Sequence, residues 1–521
     1  MSYLSKAHAY FRFASELKTF LREPISVEAA RDYVLRRMET RAAAFLTMVE
    51  RAIFANSDSP YLKLFRAASC ELGDVKNLVE RNGVEETLAR LLEAGIYVTY
   101  DEFKGRVPAV RGSRTFVFRA AEFDNPLITT HFHSSSGGTR GWPTPIRVNL
   151  DHIAQSAPHW ALWFAAHDWM ARPLVFWTTA HAGVANRHLL CAKFGKRFVQ
   201  WFGVECSGTL RDRIVAAYLH RVVRRAAGFP KPIFVPLSEI SKIGAYLITQ
   251  QEKGALPCVV TTPSAAARLA VTMQSRGLSL RGVTFLLGAE PLTTLRRQTI
   301  EASGAAAVPT YGFAEGGSIG SQCPNPSAAD DIHVSLDAYA VIPRARAVDN
   351  GETVNALLLT ALRPACPKII LNAEIGDYAA LETRRCGCFF DDVGYFTHLH
   401  TIRSFEKLTG EGVTFLGGEL FNILEEVLPQ KFGGAVGDYQ LVEEQDGKGL
   451  PRYSILVNPE LGPLDETALA AVFLEQLGRR GGTHRFMANQ WERAGVLQVK
   501  RRRPLATARG KVLPFRTLGA P

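Results

Sequence analysis

The chain has 521 residues, 47% of them hydrophobic and 21% charged, an ordinary globular composition with length enough for two or more domains. Its net charge of +11 invites a nucleic-acid reading. Much of that excess falls late, in Arg479, Arg480, Arg485, Lys500, Arg501, Arg502, Arg503, Arg509, Lys511 and Arg516; no recognition module accompanies it, and a basic face that receives a phosphorylated small molecule accounts for it equally well. No apolar run approaches membrane-span length, and the start, Met1-Ser2-Tyr3-Leu4-Ser5-Lys6, lacks an apolar signal core, so the expectation is a cytoplasmic protein with neither nucleic-acid nor membrane partners.

Residues 1–125 read as mainly helical, with helical apolar spacing over Glu28–Arg37 and from Val75 to Leu92, followed by a strand at Phe116-Val117-Phe118-Arg119. An extended segment, Pro126–Thr130, leads into a loop rich in small residues, and a helix begins near Leu150. From 150 to 320 helix-like and strand-like stretches alternate. The strands are Leu174–Thr179, Cys258–Pro263 and Val283–Ala289, and Ser264 is the candidate N-cap of a helix running from Ala265 to Gln274. Strands separated by helices indicate a largely parallel sheet, with ligands at the carboxyl ends of its strands. Residues 331–402 are richer in strands and turns, the clearest being Val354–Thr360. Glycines at Gly410, Gly412, Gly417 and Gly418 and a fresh α+β pattern place a boundary near Arg403.

The loop is the segment around which the rest is organised. Between Ser134 and Gly141 it holds three serines, a threonine and three glycines. Glycines let backbone N–H groups turn in around an anion, and hydroxyls add donors; a polar surface loop is the alternative. The spacing is not that of a Walker loop. It resembles the Ser-Gly-Thr-Thr-Gly-x-Pro-Lys loop of the adenylate-forming enzymes, matched here by Ser136-Gly137-Gly138-Thr139-Arg140-Gly141-Trp142-Pro143-Thr144. The loop is one residue longer than the family pattern. Gly138 and Arg140 flank Thr139 where hydroxyls are common, and Thr144 stands in place of Lys, as it tends to in the phenylacetate-CoA ligase branch.

Five further segments match in family order. Tyr311-Gly312-Phe313-Ala314-Glu315 resembles the segment whose aromatic stacks on adenine and whose Glu binds Mg²⁺; one carboxylate suffices for a hard cation that also holds phosphates. Upstream, Gly288-Ala289-Glu290-Pro291 is similar to the family's backbone along the adenine. Ile375-Gly376-Asp377 resembles the Gly-Asp whose carboxylate accepts both ribose hydroxyls. His400-Thr401-Ile402-Arg403 resembles the hinge approach, with Arg403 as the Arg that reaches ribose or phosphate, and the hinge itself at Ser404, Phe405 or Glu406. Pro504–Val512 resembles the C-terminal element whose lysine, here Lys511, places a point charge between carboxylate and α-phosphate.

Eight cysteines in a chain of this size, without a secretion signal, read as reduced thiols or metal ligands. Cys323, His333, Cys386 and Cys388 have the donor set of a closed Cys₃His zinc site, and the phenylacetate-CoA ligase-like branch often places such residues in these regions. Histidines crowd the loop: His131, His133, His152, His159, His167, His181 and His188, with His181 the first choice for the acid pocket.

The resemblance implies an α/β fold. It would have a large N-terminal α/β domain with parallel sheets and a β-rich subdomain, plus a small mobile α+β C-terminal domain. Residues 1–125 would be the helical part of the large domain, 126–402 the ATP- and substrate-binding core, and 403–521 the mobile lid. Nucleotide contacts would come from Ser134, Ser135, Ser136, Gly137, Gly138, Thr139, Gly288, Ala289, Glu290, Pro291, Tyr311, Gly312, Asp377 and Arg403. Substrate contacts would come from His181, Gly288 and Tyr311, and catalytic roles would fall to Lys511, Glu315 and Arg403. The implied reaction is ATP- and Mg²⁺-dependent adenylation of a carboxylic acid, an aromatic one first, with CoA or another acceptor taking the acyl group. Nitrite activation for diazotising an aromatic amine and a decayed nucleotide-binding scaffold are the alternatives. Oligomeric state stays open, a homodimer included.

Overall fold

Leu174, Val175, Phe176 and Trp177 are all buried, which is what a strand covered on both faces requires. The chain is seen in a computed structural model whose described residues are 3–135, 145–179, 182–204, 210–236, 239–347, 353–404, 408–410, 413–415, 420, 422–434, 437–446, 450–479, 482–505 and 515–518. Two short hairpins come first, β1 (Ala109–Arg111) with β2 (Arg114–Phe116), and β3 (Phe132–Ser135) with β4 (Pro145–Val148). Twelve strands then form one sheet. They are β5 (Leu174–Thr179), β6 (Phe198–Val204), β7 (Pro232–Phe234), β8 (Cys258–Thr261), β9 (Thr284–Leu287), β10 (Ala306–Phe313), β11 (Gly317–Ser321), β12 (Ile332–Val334), β13 (Tyr339–Ala347), β14 (Thr353–Ala361), β15 (Ala373–Thr383) and β16 (Thr397–Ser404).

The spatial order is β13-β14-β15-β16-β12-β11-β10-β9-β8-β5-β6-β7. From β10 to β7 every pairing is parallel. From β10 to β13 every pairing is antiparallel. The expected parallel core and the strand-rich segment are therefore two halves of one sheet, and β10 is the strand they share. Its carboxyl end, Tyr311–Phe313, lies where pairing changes sense, the kind of position where open α/β sheets leave a crevice.

Helices cover the sheet as the apolar spacing predicts. The helices Arg41–Met48, Pro60–Ala67 and Leu72–Glu93 bury Phe45, Phe65, Val75 and Leu88 against the antiparallel half, in one cluster with Leu357, Leu359 and Leu399. The long helix Leu150–Ala166 packs Trp160, Trp163 and Phe164 into a second cluster with Phe198 and Trp201. Asn149 caps this helix, its Oδ1 accepting from His152 N at 2.7 Å. A separate four-stranded sheet, Leu497–Arg501, Pro451–Val457, Tyr439–Gln445 and Phe515–Thr517, packs Tyr453 and Ile455 against Phe473 and Trp491 of the helices Glu466–Gly478 and Gly482–Ala494.

Three local expectations are corrected. The helix Pro263–Gln274 is capped by Thr262, whose hydroxyl accepts from Ala265 N, with Pro263 at the first helical position; Ser264 is buried and bonded elsewhere. The strand expected at Phe116–Arg119 stops at Phe116, because the two-residue turn at Gly112-Ser113, with Gly112 at φ 58°, sets the hairpin register and Phe118 turns into the core. The extended run before the loop is Phe132–Ser135 rather than Pro126–Thr130. Among the described residues no helix is long and apolar enough to cross a membrane.

Candidate functional site

The turn after β9 is fixed first. Gly288 leaves β9 close under β10: a Cβ there would stand 3.1 Å from Thr310 Oγ1. Ala289 follows at φ 69°, a left-handed conformation that costs an alanine roughly 1–2 kcal/mol. The turn is held by Glu290, whose side chain is fully buried and accepts from Ser264 Oγ at 2.8 Å and Ser264 N at 3.1 Å, with Arg296 Nη1 3.5 Å away. Glu290 thus works as an internal clamp, and the surface of the turn is left to its backbone.

Tyr311 ends the regular part of β10, next to a bulge at Gly312. No side chain fits at Gly312, where a Cβ would meet Gly317 O at 2.5 Å. The Tyr311 hydroxyl donates to Asp377 Oδ2 at 2.9 Å, across 66 residues of sequence. Burial and then the Asp377 charge push the Tyr311 phenol well above its ordinary range, so it stays a donor. The aromatic of one predicted segment and the carboxylate of another therefore sit in contact at the switch in the sheet.

Glu315 lies in the turn between β10 and β11 and is 5% exposed. Tyr339 donates its hydroxyl to Gly316 O beside it, and His152 Nε2 stands 3.0 Å from where a Cβ on Gly317 would be. The partner of Glu315 is one that sequence reasoning missed: Lys104 Nζ donates to its Oε1, both side chains 7% exposed. Lys368 belongs to the same group, its ammonium feeling the charges of Glu315 and Lys104 while donating to Asp124 and to Ala120 O. Arg147 Nε reaches the other oxygen of Asp124 at 3.1 Å. Arg147 belongs to β4, so this charged network runs from the hairpin that carries the serine-glycine loop to the Glu315 turn. Lys104 is 211 residues from Glu315 in sequence, and no local pattern announces it.

The other predicted residues divide. Ser134 and Ser135 lie at the end of β3, opposite Ile146 and Pro145. Ser136, Gly137, Gly138, Thr139, His181 and Lys511 lie outside the described residues, as do Phe405 and Glu406. Arg403 sits opposite Tyr378 in the sheet and its Nη1 donates to Asp330 Oδ2 at 2.8 Å; its described partner is that carboxylate. The histidines near the loop are mostly held by structure. His131 meets Glu16, His159 meets Asp337, and His167 and His188 reach the carbonyls of Gln322 and Ala227.

The cysteine group converges. Donor atoms of Cys323, His333, Cys386 and Cys388 all lie within 4.8 Å of one another. Cys323 Sγ and Cys386 Sγ are 3.8 Å apart, and His333 Nε2 is 3.3 Å from Cys386 Sγ and 3.4 Å from Cys388 Sγ. Tetrahedral bonds of the zinc–sulfur length give donor–donor edges of about 3.7 Å, so the spacing fits. The outer contacts fit as well: His333 Nδ1 donates to Tyr395 O at 2.6 Å, which leaves Nε2 to face the thiols. Asn325 N and Phe390 N donate to Cys323 and Cys388 sulfurs at 3.3 Å. Burial pushes the Cys386 thiol up to about 11, and the contact with Cys323, then burial, pushes Cys388 up to about 12; a divalent cation is what offsets that resistance to ionising.

No protein-family model matches the sequence, and a comparison with curated proteins finds no match. Solved structures do match. A 2-hydroxyisobutyryl-CoA ligase, in complex with 2-HIB-AMP and CoA in the thioesterification state, aligns over 92% of this chain and 90% of that one, with a TM-score of 0.56 at 14% identity. The same ligase in its postadenylation state aligns over 95% and 91% with a TM-score of 0.43 at 14% identity. An amide bond synthetase from Marinactinospora thermotolerans aligns over 86% and 84% with a TM-score of 0.39 at 13% identity. On the first of these likenesses the chain shares the fold of that ligase, a large mixed sheet with a separate small one.

Proposed function

We propose that this chain is an AMP-forming acid ligase. It joins a carboxylic acid, aromatic in the first instance, to the α-phosphorus of ATP and then passes the acyl group to CoA. The contact between Tyr311 and Asp377 carries the reading. It brings an aromatic face and a carboxylate together at the sheet's switch point, the pair an adenosine needs for stacking and for its two ribose hydroxyls. The turn Gly288–Pro291, with its side-chain clamp buried, offers backbone to the base. The segment 136–144 is bracketed by β3 and β4; Arg147 of that hairpin and Lys368 share Asp124, and the Lys368 ammonium feels the charge of Glu315.

In the first step an oxygen of the acid attacks the α-phosphorus, the bond to the β-phosphate breaks, and pyrophosphate leaves. In the second the CoA sulfur attacks the acyl carbon and AMP leaves with the bridging oxygen. The work of the protein is positioning and charge neutralisation. Tyr311 and Asp377 hold the nucleoside, and Lys511 is assigned to the charge that builds between carboxylate and α-phosphate. Mg²⁺, held by Glu315, would neutralise phosphate oxygens. Cys323, His333, Cys386 and Cys388 would hold a structural Zn²⁺ that ties the β12 region to the loop before β16. The segment from residue 403 onward is assigned the role of a lid that brings Lys511 to the site.

Pyrophosphate exchange with a panel of aromatic acids tests the reading. Exchange that depends on acid is expected from the native chain, and Lys511→Ala should abolish it while ATP binding persists; an unchanged rate in that variant contradicts the lysine's role. Parallel arms with CoA, and with amino-aryl acids plus nitrite, identify the acceptor chemistry.

A further inference from the structure

The pairing of Lys104 with Glu315 is unusual for a carboxylate that is to hold a divalent cation. Both groups are buried. A buried carboxylate needs a cation beside it, because desolvation penalises the bare charge heavily. Here the need is already met from within the chain. Lys368, the other nearby ammonium, is engaged by Asp124 and Ala120 O, so Lys104 is the group whose departure would open Glu315. Lys104 lies just past the four-residue helix Tyr100–Phe103, whose start is locked by a capping box between Thr99 and Glu102. Its backbone is therefore fixed, and its side chain is a four-carbon stem that can swing.

Two aromatic rings also face the ammonium. Lys104 Nζ is 5.6 Å from the ring centroid of Tyr100 and 6.0 Å from that of Phe103, both within range of cation–π attraction. An ammonium leaving Glu315 needs to travel only a short way to remain stabilised on these faces.

We propose that Lys104 is the resident counter-ion of Glu315, occupying the cation position until a divalent ion arriving with the nucleotide displaces it. A single ammonium and a divalent ion compete for one carboxylate. Alone, the ion must evict a buried partner. With the triphosphate it brings additional ligands and wins. The site thus takes its metal as the nucleotide complex and resists free metal. This rests on the assignment of Glu315 under the proposed function, but Lys104 enters through geometry and not through that assignment.

The test reads metal directly. Mn²⁺ binding to the full chain, without nucleotide, is followed by the loss of the free-ion electron paramagnetic resonance signal for native protein, Lys104→Met, Lys104→Arg and the double variant Lys104→Met with Glu315→Gln. The thiol–imidazole group is soft and disfavours Mn²⁺. Lys104→Met should bind one Mn²⁺ at least about tenfold more tightly than native protein, Lys104→Arg should resemble native, and the double variant should lose the gain. Equal affinity in Lys104→Met and native protein overturns the proposal, as does a gain that survives Glu315→Gln. Should Lys104→Met not fold, Lys104→Gln keeps a donor without the charge and carries the same expectation. The measurement needs no turnover, so a chain that exchanges no pyrophosphate yet shows the gain would sink the ligase reading and leave the counter-ion role standing.

Discussion

His152 offers a quantitative check on how the Glu315 turn is supported. It sits in the first turn of the helix Leu150–Ala166, with its ring against Gly317. Burial, with the Arg363 charge adding to it, holds the imidazole down to about 3. Unfolding returns it to an ordinary value near 6.5. Between those values the unfolded chain binds a proton that the folded chain refuses, so stability falls as pH drops from about 6.5 toward about 3. At pH 5 the cost is about 1.5 units at 1.36 kcal/mol each, or roughly 2 kcal/mol. His152→Leu keeps much of the volume and removes the titration. The assay is equilibrium urea unfolding at pH 7.5 and pH 5.0, followed by the fluorescence of Trp160 and Trp163 on the same helix, which are buried. The loss of stability between the two pH values should be smaller in the variant by about 2 kcal/mol. An identical pH dependence in both proteins would mean that His152 protonates freely in the fold, and the packing described at Gly317 would be wrong.

Other expectations follow from single contacts. Tyr311→Phe removes the hydrogen bond to Asp377 and should raise the KM for ATP about tenfold, the worth of one hydrogen bond to a charged group, with kcat nearly unchanged; a fall confined to kcat would place Tyr311 at the chemistry instead. Metal analysis of the purified chain should find one zinc, and Cys388→Ser should lose it together with a drop in melting temperature, whereas native protein that melts alike with and without a strong chelator would remove zinc from the account. Gly320→Ala would put a Cβ 2.1 Å from His333 O, and should cost more than about 3 kcal/mol or prevent folding; a variant as stable as native would show that β11 and β12 are not so closely paired. Asn372, at φ 45°, donates its amide to Leu88 O at 2.8 Å and Ile96 O at 3.3 Å. Asn372→Ala should cost about 2–4 kcal/mol by thermal unfolding, and a shift under about 1 kcal/mol would contradict the link between the N-terminal helices and β15.

What the sequence made legible was local. Strand runs such as Cys258–Thr261 and Thr284–Leu287 are continuous apolar segments, and a strand buried on both faces leaves that mark without help from the rest of the chain. The meeting of Cys323, His333, Cys386 and Cys388 was legible because cysteine and histidine are rare residue types whose recurrence stands out. The turn residues around Gly288 and Gly312 were legible as motif pieces, although the reasons for their glycines, the nearness of Thr310 and of Gly317 O, emerge only in space. Illegible were the contacts that close over long separations. Lys104, Lys368 and Asp124 look like solvated charges in the sequence, and only the fold pairs Lys104 with Glu315 and Lys368 with Asp124, near enough for the charges to be felt between the pairs. Glu290 was read for its backbone; that its side chain clamps the turn through Ser264 and Arg296 emerges only in space. The pairing of Arg403 with Asp330, a carboxylate from a loop that no local pattern ties to it, was not legible either.

The central claim is that the acid's own oxygen attacks the α-phosphorus of ATP. The direct test supplies ATP, Mg²⁺ and CoA with an aromatic acid labelled with ¹⁸O in its carboxylate, and examines the products by mass spectrometry. The account predicts AMP carrying one ¹⁸O and unlabelled pyrophosphate. ADP as the product, or ¹⁸O found in pyrophosphate or inorganic phosphate with none in AMP, would contradict it.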